Sequence, residues 1–268
     1  MEGMWQLADH IDKREEKILA LLKKPAKNFS PDSFHLLRVE LKKTDALFRL
    51  AGFYSKKFSR KKKFRAFKSI FAAAGEVREL QIMESMLKRN TPKSGLRNFS
   101  RDIRRFKKEK RAAFFALIRT RPKQALVANI ESARKEMKGI TRKDVLAYQR
   151  KLSGEIRRLL QKGKPDAPTL HRIRKLLKRQ GYVSRPLPLK GHETTMIPQA
   201  EKLAAKLGEW HDLDVMALRL REMSEQEDSV PSERKILLAL SKKFHARSVE
   251  SLRRLVRIFS NISATETR

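Results

Sequence analysis

The chain has 268 residues, with 64 Lys and Arg against 30 Asp and Glu, which gives a formal net charge of +34. It contains no cysteine, and this excludes disulfide scaffolds, thiolate metal sites and cysteine nucleophiles. Hydrophobic residues make up 40% of the chain, so it can form a packed core and is not a disordered basic tail. Besides giving solubility, such an excess of positive charge attracts polyanions, of which nucleic acid, anionic lipid and polyphosphate are the candidates.

The start of the chain and its hydropathy predict a soluble protein in the cytoplasm, without membrane insertion. Residues 1–5 read Met-Glu-Gly-Met-Trp and lack the apolar core of a signal peptide. No stretch approaches the roughly 18 to 20 apolar residues that a membrane span requires. The basic segments also lack the apolar face typical of helices that bind a membrane surface.

The first half of the chain is predicted to be helical, because apolar residues recur at helical spacing and no alternating strand pattern occurs. Ser30-Pro31-Asp32 supplies an N-cap, a proline at the first helical position and an acid in the first turn. Asn98 or Ser100 can cap the fourth helix. The predicted helices cover approximately residues 8–24, 31–56, 60–88 and 98–122.

The second half repeats this scheme, after a helix that extends the first bundle or bridges the halves. Asp166 and Pro168 open a helix that ends near Gly181, and a loop from Val183 to Thr195 follows. The predicted helices cover approximately residues 124–138, 142–162, 168–181, 198–223 and 231–260.

A basic pattern led by histidine occurs once in each half. It reads His35-x-x-Arg38-x-x-x-Lys42-Lys43 in the first stripe and His171-x-x-Arg174-x-x-x-Lys178-Arg179 in the second stripe, 136 residues later. Offsets of 0, 3 and 7 fall on one face of a helix, and Arg49 and Lys56 continue the first stripe. Cations at core-like spacing are costly to bury unless anions neutralise them. Each stripe is therefore a candidate polyanion-binding surface, and the alternative is a solvated charged face.

A second match between the halves has nearly the same period. Residues 74–80 align with residues 207–213, a separation of 133 residues. A period near half the chain predicts an all-α protein of two tandem bundles, of about four helices each, related by a pseudo-twofold axis. The first repeat is predicted over residues 1–140 and the second over residues 141–268.

Both patterns resemble those of the CHAD family, the conserved histidine α-helical domains. Members carry a pattern similar to H-x-x-R-(V/I)-x-x-(K/R)-(K/R)-x-R in each repeat, and a later L-G-x-x-x-D-x-D-V segment that residues 207–215 resemble. Tyr182 also matches the second-repeat pattern. The resemblance covers essentially the whole chain, residues 1–268, as a single domain. It implies a module that binds inorganic polyphosphate and is often associated with polyphosphate granules.

The chain departs from the family pattern at several positions. The arginine expected ten residues after each stripe histidine is Asp45 in the first repeat and Gly181 in the second. Where the later segment of the family pattern has two Asp, the first repeat has Glu79 and Gln81.

The candidate site residues suit a flexible chain with one charge per phosphate and no bases to read. Arginine can bridge two phosphate oxygens, while lysine acts as a mobile point charge. A further basic series on one helix face, from Arg97 to Arg111, could form the opposite wall of a groove between the repeats. The candidate polyphosphate-binding residues are His35, Arg38, Lys42, Lys43, Arg49, Lys56, Arg78, Arg101, Arg104, Lys108, His171, Arg174, Lys178, Arg179, Tyr182 and His211.

The two stripe histidines have two interpretations. Each lies one turn inside its predicted helix, where the helix dipole favours anions and disfavours a protonated imidazole. They are predicted either to donate to phosphate or to pack as structural residues. Asp212 and Asp214 are interpreted as internal partners that orient basic residues.

Two other functions remain as alternatives. Nucleic acid, above all RNA, would use the same positive charge, although base-stacking aromatic residues are not interleaved with the stripes. A metal-dependent phosphohydrolase is suggested only by His211-Asp212, since the other five histidines have no recognisable ligand spacing. We therefore predict a binding protein with no catalytic residue, no metal and no cofactor, and the patterns leave its oligomeric state open.

Overall fold

The computed structural model describes residues 2–91, 95–120, 123–161, 163, 165–184, 199–225 and 230–265. These residues form ten α-helices and one 3-10 turn (Ala26–Asn28), with no strand among them, which confirms the predicted all-α class. The helices are α1 (Glu2–Lys23), α2 (Pro31–Tyr54), α3 (Arg60–Lys63), α4 (Arg65–Asn90), α5 (Arg97–Thr120), α6 (Lys123–Met137), α7 (Arg142–Gln161), α8 (Ala167–Ser184), α9 (Ala200–Ser224) and α10 (Pro231–Thr265).

Local capping residues start the two helices that carry the stripes. Ser30 accepts a hydrogen bond from the Ser33 N–H at 3.2 Å, and Pro31 is the first residue of α2. Asp166 accepts one from the Thr169 N–H at 2.9 Å, directly before α8 begins. Because α2 begins at residue 31 and α8 at residue 167, each stripe histidine is the fifth residue of its helix, and thus lies one turn inside it as predicted.

The predicted third helix is interrupted at Phe64. The sequence predicted one helix from Arg60 to Lys88, but the structure has the short helix α3 followed by α4. Phe64 is buried, with its ring stacked on Phe67 at 5.5 Å and edge-on to Phe48 at 6.2 Å. Burial of this ring next to a run of cations favours a turn over a continuous helix.

The predicted cap of α5 is wrong. Asn98 and Ser100 lie inside this helix, which begins at Arg97. The carboxylate of Glu233, from α10, accepts hydrogen bonds from the N–H groups of Asn98 and Phe99, at 2.8 and 2.9 Å. Glu233, which is distant in sequence, therefore accepts from the free N–H groups of the first turn. Its negative charge also interacts favourably with the positive end of the helix dipole.

The chain divides into two compact units. Unit 1 comprises Met1–Ile82, Arg104–Gln149 and Gly181–His192, and unit 2 comprises Met83–Ile103, Arg150–Gln180 and Glu193–Arg268. Each unit combines residues from both predicted repeats, and the predicted boundary at residue 140 stays a prediction. The predicted loop from Val183 to Thr195 and the predicted helix start at Pro198 lie largely outside the described residues.

Unit 1 is built around helix α2, which carries the first stripe. Helix α1 packs against α2 and α6, and α2 also packs against α3 and α6. Aromatic rings fill two parts of its core, where they meet mainly edge to face. The first part contains Phe29, Phe34, Phe114 and Phe115, and the second contains Phe48, Phe58, Phe64 and Phe67.

Unit 2 contains the second stripe on α8 and is built around the contact between α9 and α10. Its apolar core also includes residues from the end of α4 and the start of α5. The buried members are Met83, Leu87, Leu96, Phe99, Ile103, Met216, Ala217, Leu220, Leu237, Leu240 and Phe244. None of the helices in the described part of the chain is long and apolar enough to cross a membrane.

Candidate functional site

Arg38 of the first stripe contacts helix α4 at Gly75. Its Nη1 atom donates a hydrogen bond to the Phe71 carbonyl at 2.8 Å, and its Cζ atom lies 4.4 Å from the centre of the Phe71 ring. A Cβ atom at position 75 would stand 2.1 Å from Nη1, which no side chain could occupy without moving the guanidinium. Glycine is therefore the residue that allows α2 to place its arginine on α4.

Two further cations lie around this arginine. Lys42, one turn along α2, has its Nζ atom 5.9 Å from the centre of the same Phe71 ring. Arg78 of α4 donates to Gln81 at 3.2 Å. Burial lowers the pKa of Arg38, the charge of Glu79 opposes this effect, and the charge of Arg78 adds to it. We call Arg38, Lys42 and Arg78 the first cluster.

Lys43 and Arg14 share a buried acid in unit 1. Glu40 pairs with Lys43 at 2.9 Å and with Arg14 of α1 at 3.0 Å, and its side chain is only 6% exposed. Burial, followed by the charges of Arg14 and Lys43, lowers the pKa of His10 to about 4. Lys43 thus already has a protein counter-ion, and its role in binding phosphate stays a prediction.

The rest of the first stripe is arranged differently from the prediction. Arg49 pairs with Asp45 at 2.8 Å, and Arg60 pairs with the same carboxylate. Asp45 stands where the family pattern has an arginine, so an acid replaces a cation at this point. Helix α2 ends at Tyr54, so the prediction that Lys56 extends its basic face is wrong. His35 is exposed.

The second stripe also meets a glycine of the neighbouring helix. A Cβ atom at Gly208 of α9 would lie 3.6 Å from Nε and 3.7 Å from Nη2 of Arg174, which is ordinary van der Waals contact. The rings of His171 and His211 lie 4.7 Å apart, centre to centre, with 44° between their planes. We call His171, Arg174, Lys178 and His211 the second cluster, to which α8 contributes three side chains and α9 one.

The second cluster is a site of concentrated positive charge. Burial, followed by the charge of Arg174, lowers the pKa of Lys178, and Asp212 opposes this shift. Burial lowers the pKa of His211 as well, with Arg174, Lys175 and Lys178 acting in the same direction and Asp214 against it. An anion bound here would reverse these shifts, because it would favour the protonated forms.

The two clusters share one plan. Each has a stripe arginine on the glycine of a neighbouring helix, a stripe lysine one turn further on, and a residue three positions after the glycine. That last residue is Arg78 in the first cluster and His211 in the second. Sequence analysis aligned the two glycines but did not single them out. The signal that could have found them was a glycine at the same point of both aligned segments, inside a helix where it is unfavourable.

The remaining predicted residues lie outside these clusters. Arg179 and Tyr182 are partly buried on α8, and Arg101 donates to Asn98 at 2.8 Å in unit 2. Arg104 and Lys108 are exposed in unit 1. Arg111, which was predicted to share their face, instead donates to the carbonyls of Phe29 and Ala26 and secures the 3-10 turn.

No group of three or more His, Asp or Glu that could hold a metal ion occurs among the residues that the structure describes. The doublet that suggested a phosphohydrolase is His211-Asp212. His211 belongs to the second cluster, and the charge of Asp212 acts on Lys178 of the same cluster. The chemistry that both clusters offer is that of hydrogen-bond donors and positive charge directed at an anion.

Comparison with known proteins identifies the family. The structure is similar to the crystal structure of the CHAD domain from the plant Ricinus communis, with a TM-score of 0.66 over 96% of this chain and 88% of that chain. The two sequences are 16% identical, so this similarity concerns the fold. No curated protein matches the sequence significantly. The family model for the CHAD domain matches residues 3–221, and the chain therefore belongs to the CHAD domain family.

Proposed function

We propose that the protein binds inorganic polyphosphate through the first and second clusters. The CHAD family is associated with polyphosphate binding and is generally a family of binding domains. The observation that carries the proposal is the arrangement built twice, in which a stripe arginine lies on a glycine of the next helix among other cations. A plain solvated face would not place both stripe arginines against a neighbouring helix, and at Gly75 the arginine occupies the space of a Cβ atom.

The spacing of the cations suits a polymer of phosphates. Positions four residues apart on a helix rise by about 6 Å, so Arg38 and Lys42 can contact neighbouring or next-neighbouring phosphates. Arg174 and Lys178 repeat this spacing in the second cluster. Each arginine offers a planar fork of donors to phosphate oxygens, and each lysine offers a mobile charge.

Bound phosphate would also offset the repulsion between the cations of each free cluster. The pKa values of Arg38, Lys178 and His211 are all lowered by burial and by neighbouring cations. Because burial and neighbouring cations disfavour the positive charge of these groups, a bound polyanion gains free energy by neutralising that charge. This gain supports a binding role for both clusters.

We propose a binding protein rather than a polyphosphate hydrolase. Hydrolysis of a phosphoanhydride needs an activated water in line with the scissile bond, in addition to charge stabilisation. The clusters mainly supply charge stabilisation. Purified protein incubated with polyphosphate, with and without divalent metal ions, should release no phosphate. Release that tracks the protein and disappears in a His211→Ala variant would contradict this.

A competition experiment tests polyphosphate against the nucleic-acid alternative. Labelled polyphosphate of about 100 phosphates is bound to the protein and displaced by unlabelled polyphosphate, single-stranded RNA, duplex DNA or pyrophosphate, at matched charge and salt. We expect unlabelled polyphosphate to compete at the lowest concentration of charge. RNA that competes equally well would support the nucleic-acid alternative and contradict the proposal.

In the cell, we propose that the protein is cytoplasmic and located at polyphosphate granules. A fluorescent fusion should collect at granules in cells that accumulate polyphosphate and become diffuse in cells that cannot make it. A fusion that ignores the presence of the polymer would argue against this location.

A further inference from the structure

The two clusters differ in one chemical respect, which is that only the second pairs two imidazoles. Three residues after the seating glycine, α4 has Arg78, which is always charged, and α9 has His211. The His211 ring lies 4.7 Å from that of His171, whereas the corresponding His35 of the first stripe is exposed. Histidine is the side chain whose charge changes near neutral pH, so the second cluster has a variable charge and the first a fixed one.

The groups around the histidine pair are mostly cations. From α8 come Arg174, Lys175 and Lys178, all of which act on His211. From α9 itself come Asp212, which acts on Lys178, and Asp214, whose carboxylate accepts a hydrogen bond from Ser248 of α10 at 3.3 Å. Glu155 of α7 forms a salt bridge with the exposed side chain of Arg172 on α8. The free site therefore disfavours a further positive charge on the imidazoles.

We propose that His171 and His211 make the second cluster a proton-dependent polyphosphate site, in which one proton is taken up by the pair when the polymer binds. The inference rests on the proposed function and adds its regulation by pH. Two imidazolium rings at this distance would repel each other, so the pair accepts a single shared charge rather than two. The protonated pair gives the phosphate chain an additional charge-assisted donor.

The direction of the effect follows from linkage. In the free protein burial and neighbouring cations lower the pKa of His211, and the phosphate anions of a bound polymer raise it. Binding is then weakest above the pKa of the bound form and strengthens as the pH falls through it. If the polymer raises the pKa by about one unit, the affinity below the pKa of the free form exceeds that above the pKa of the bound form by up to about tenfold.

The polymer itself contributes little to this dependence. Each internal phosphate of a long chain carries one strongly acidic oxygen, and only the terminal phosphates have a second pKa of about 6. His10 also stays outside the window, since its pKa is lowered to about 4. A long polymer at constant ionic strength therefore isolates the response of the protein.

The test measures affinity for polyphosphate of about 100 phosphates between pH 5.5 and 8, together with proton uptake by calorimetry in buffers of different ionisation enthalpy. We expect binding that is tighter at pH 5.5 than at pH 8, by up to about tenfold, and a net uptake that peaks at about half a proton for a shift of one unit. The His171→Gln/His211→Gln variant should lose the pH dependence, so that its affinity is the same at pH 5.5 and at pH 8. His245→Gln, on the exposed face of α10, should behave as the wild type.

The outcomes separate this inference from the proposed function. Absence of binding at every pH would overturn the proposed function and the inference with it. Binding that is independent of pH, or whose pH dependence survives in the double variant, would overturn the inference alone. Should the double variant fail to fold, NMR titration of the histidines in the wild type decides. A polymer that raises the pKa of His171 or His211 supports the inference, and unchanged values refute it.

Discussion

Two arginines in equivalent positions make different contacts because the glycines beneath them differ in their surroundings. At Gly75 the Nη1 atom of Arg38 occupies the space of the missing Cβ and reaches the Phe71 carbonyl. At Gly208 the Arg174 guanidinium lies farther away, and Ala204 stands where α4 has Phe71. One arrangement, present in both clusters, thus gives an arginine in close contact with its glycine in the first cluster and one farther from its glycine in the second.

This difference predicts opposite effects of the same substitution. Gly75→Ala should displace Arg38, lower polyphosphate affinity at least fivefold and reduce the free energy of unfolding by about 1 kcal/mol, because the lost hydrogen bond outweighs the better helix propensity. Gly208→Ala, the matched control, should raise the free energy of unfolding by about 0.5 to 1 kcal/mol with little effect on binding. Denaturant unfolding and binding titrations check both, and equal behaviour of the two variants would contradict the difference in seating.

A second residue-scale prediction concerns His10 and the pH dependence of stability. Its pKa is lowered to about 4 in the native state, against about 6.5 in an unfolded chain. The unfolded state therefore binds more protons between these values, and stability falls as the pH drops from about 6.5 to 4.

The His10→Gln variant should remove this part of the dependence. Between pH 7 and pH 4 it should lose about 2 kcal/mol less of its free energy of unfolding than the wild type does. Denaturant unfolding at each pH measures the difference. Parallel pH profiles for the two proteins would show that His10 is not held neutral by its neighbours.

At the scale of helices, sequence located the elements well wherever the signal was local. Ser30 and Asp166 fix the starts of the stripe helices through bonds to residues three positions away, and both were predicted. The break at Phe64 and the cap by Glu233 were missed because each depends on contacts with distant residues. Local patterns carry no information on such partners.

Glu233 gives a test of long-range capping. Glu233 is 7% exposed as a residue, and its carboxylate accepts hydrogen bonds from two N–H groups at the start of α5. Glu233→Ala should lower the free energy of unfolding by about 2 to 3 kcal/mol, since a buried N–H loses a charged acceptor. Glu222→Ala, an exposed acid on α9, is the control and should change stability by less than about 0.5 kcal/mol. Equal effects in denaturant unfolding would refute the capping role.

At the scale of the whole molecule, sequence predicted the all-α class, the family and the core of both clusters. Four of the predicted stripe residues belong to the two clusters, namely Arg38, Lys42, Arg174 and Lys178. Helical periodicity also selected Lys43 and Arg49, which pair with acids of their own helix. Periodicity places a residue on a face, but counter-ions and helix ends decide whether its charge is available.

The distribution of charge over the molecule predicts how binding responds to salt and polymer length. Each phosphate that meets a Lys or Arg releases counter-ions, so log affinity should fall roughly linearly with log salt concentration. Long polyphosphate should bind far more tightly than tri- or pyrophosphate, because one chain engages many cations at once. Titrations over a range of salt and chain length measure both. Affinity that is insensitive to salt, or equal for pyrophosphate, would contradict multivalent electrostatic binding.

The most direct test of the central claim removes both stripe arginines. Arg38→Gln with Arg174→Gln should weaken polyphosphate binding by well over tenfold, since each charged contact contributes about 1.5 to 3 kcal/mol, with the helix content unchanged by circular dichroism. Arg219→Gln with Arg254→Gln removes the same charge from exposed side chains that pair with Glu222 and Glu250, and should weaken binding far less. A stripe variant that binds as tightly as this control would show that the two stripes serve packing or solubility and not the binding of polyphosphate.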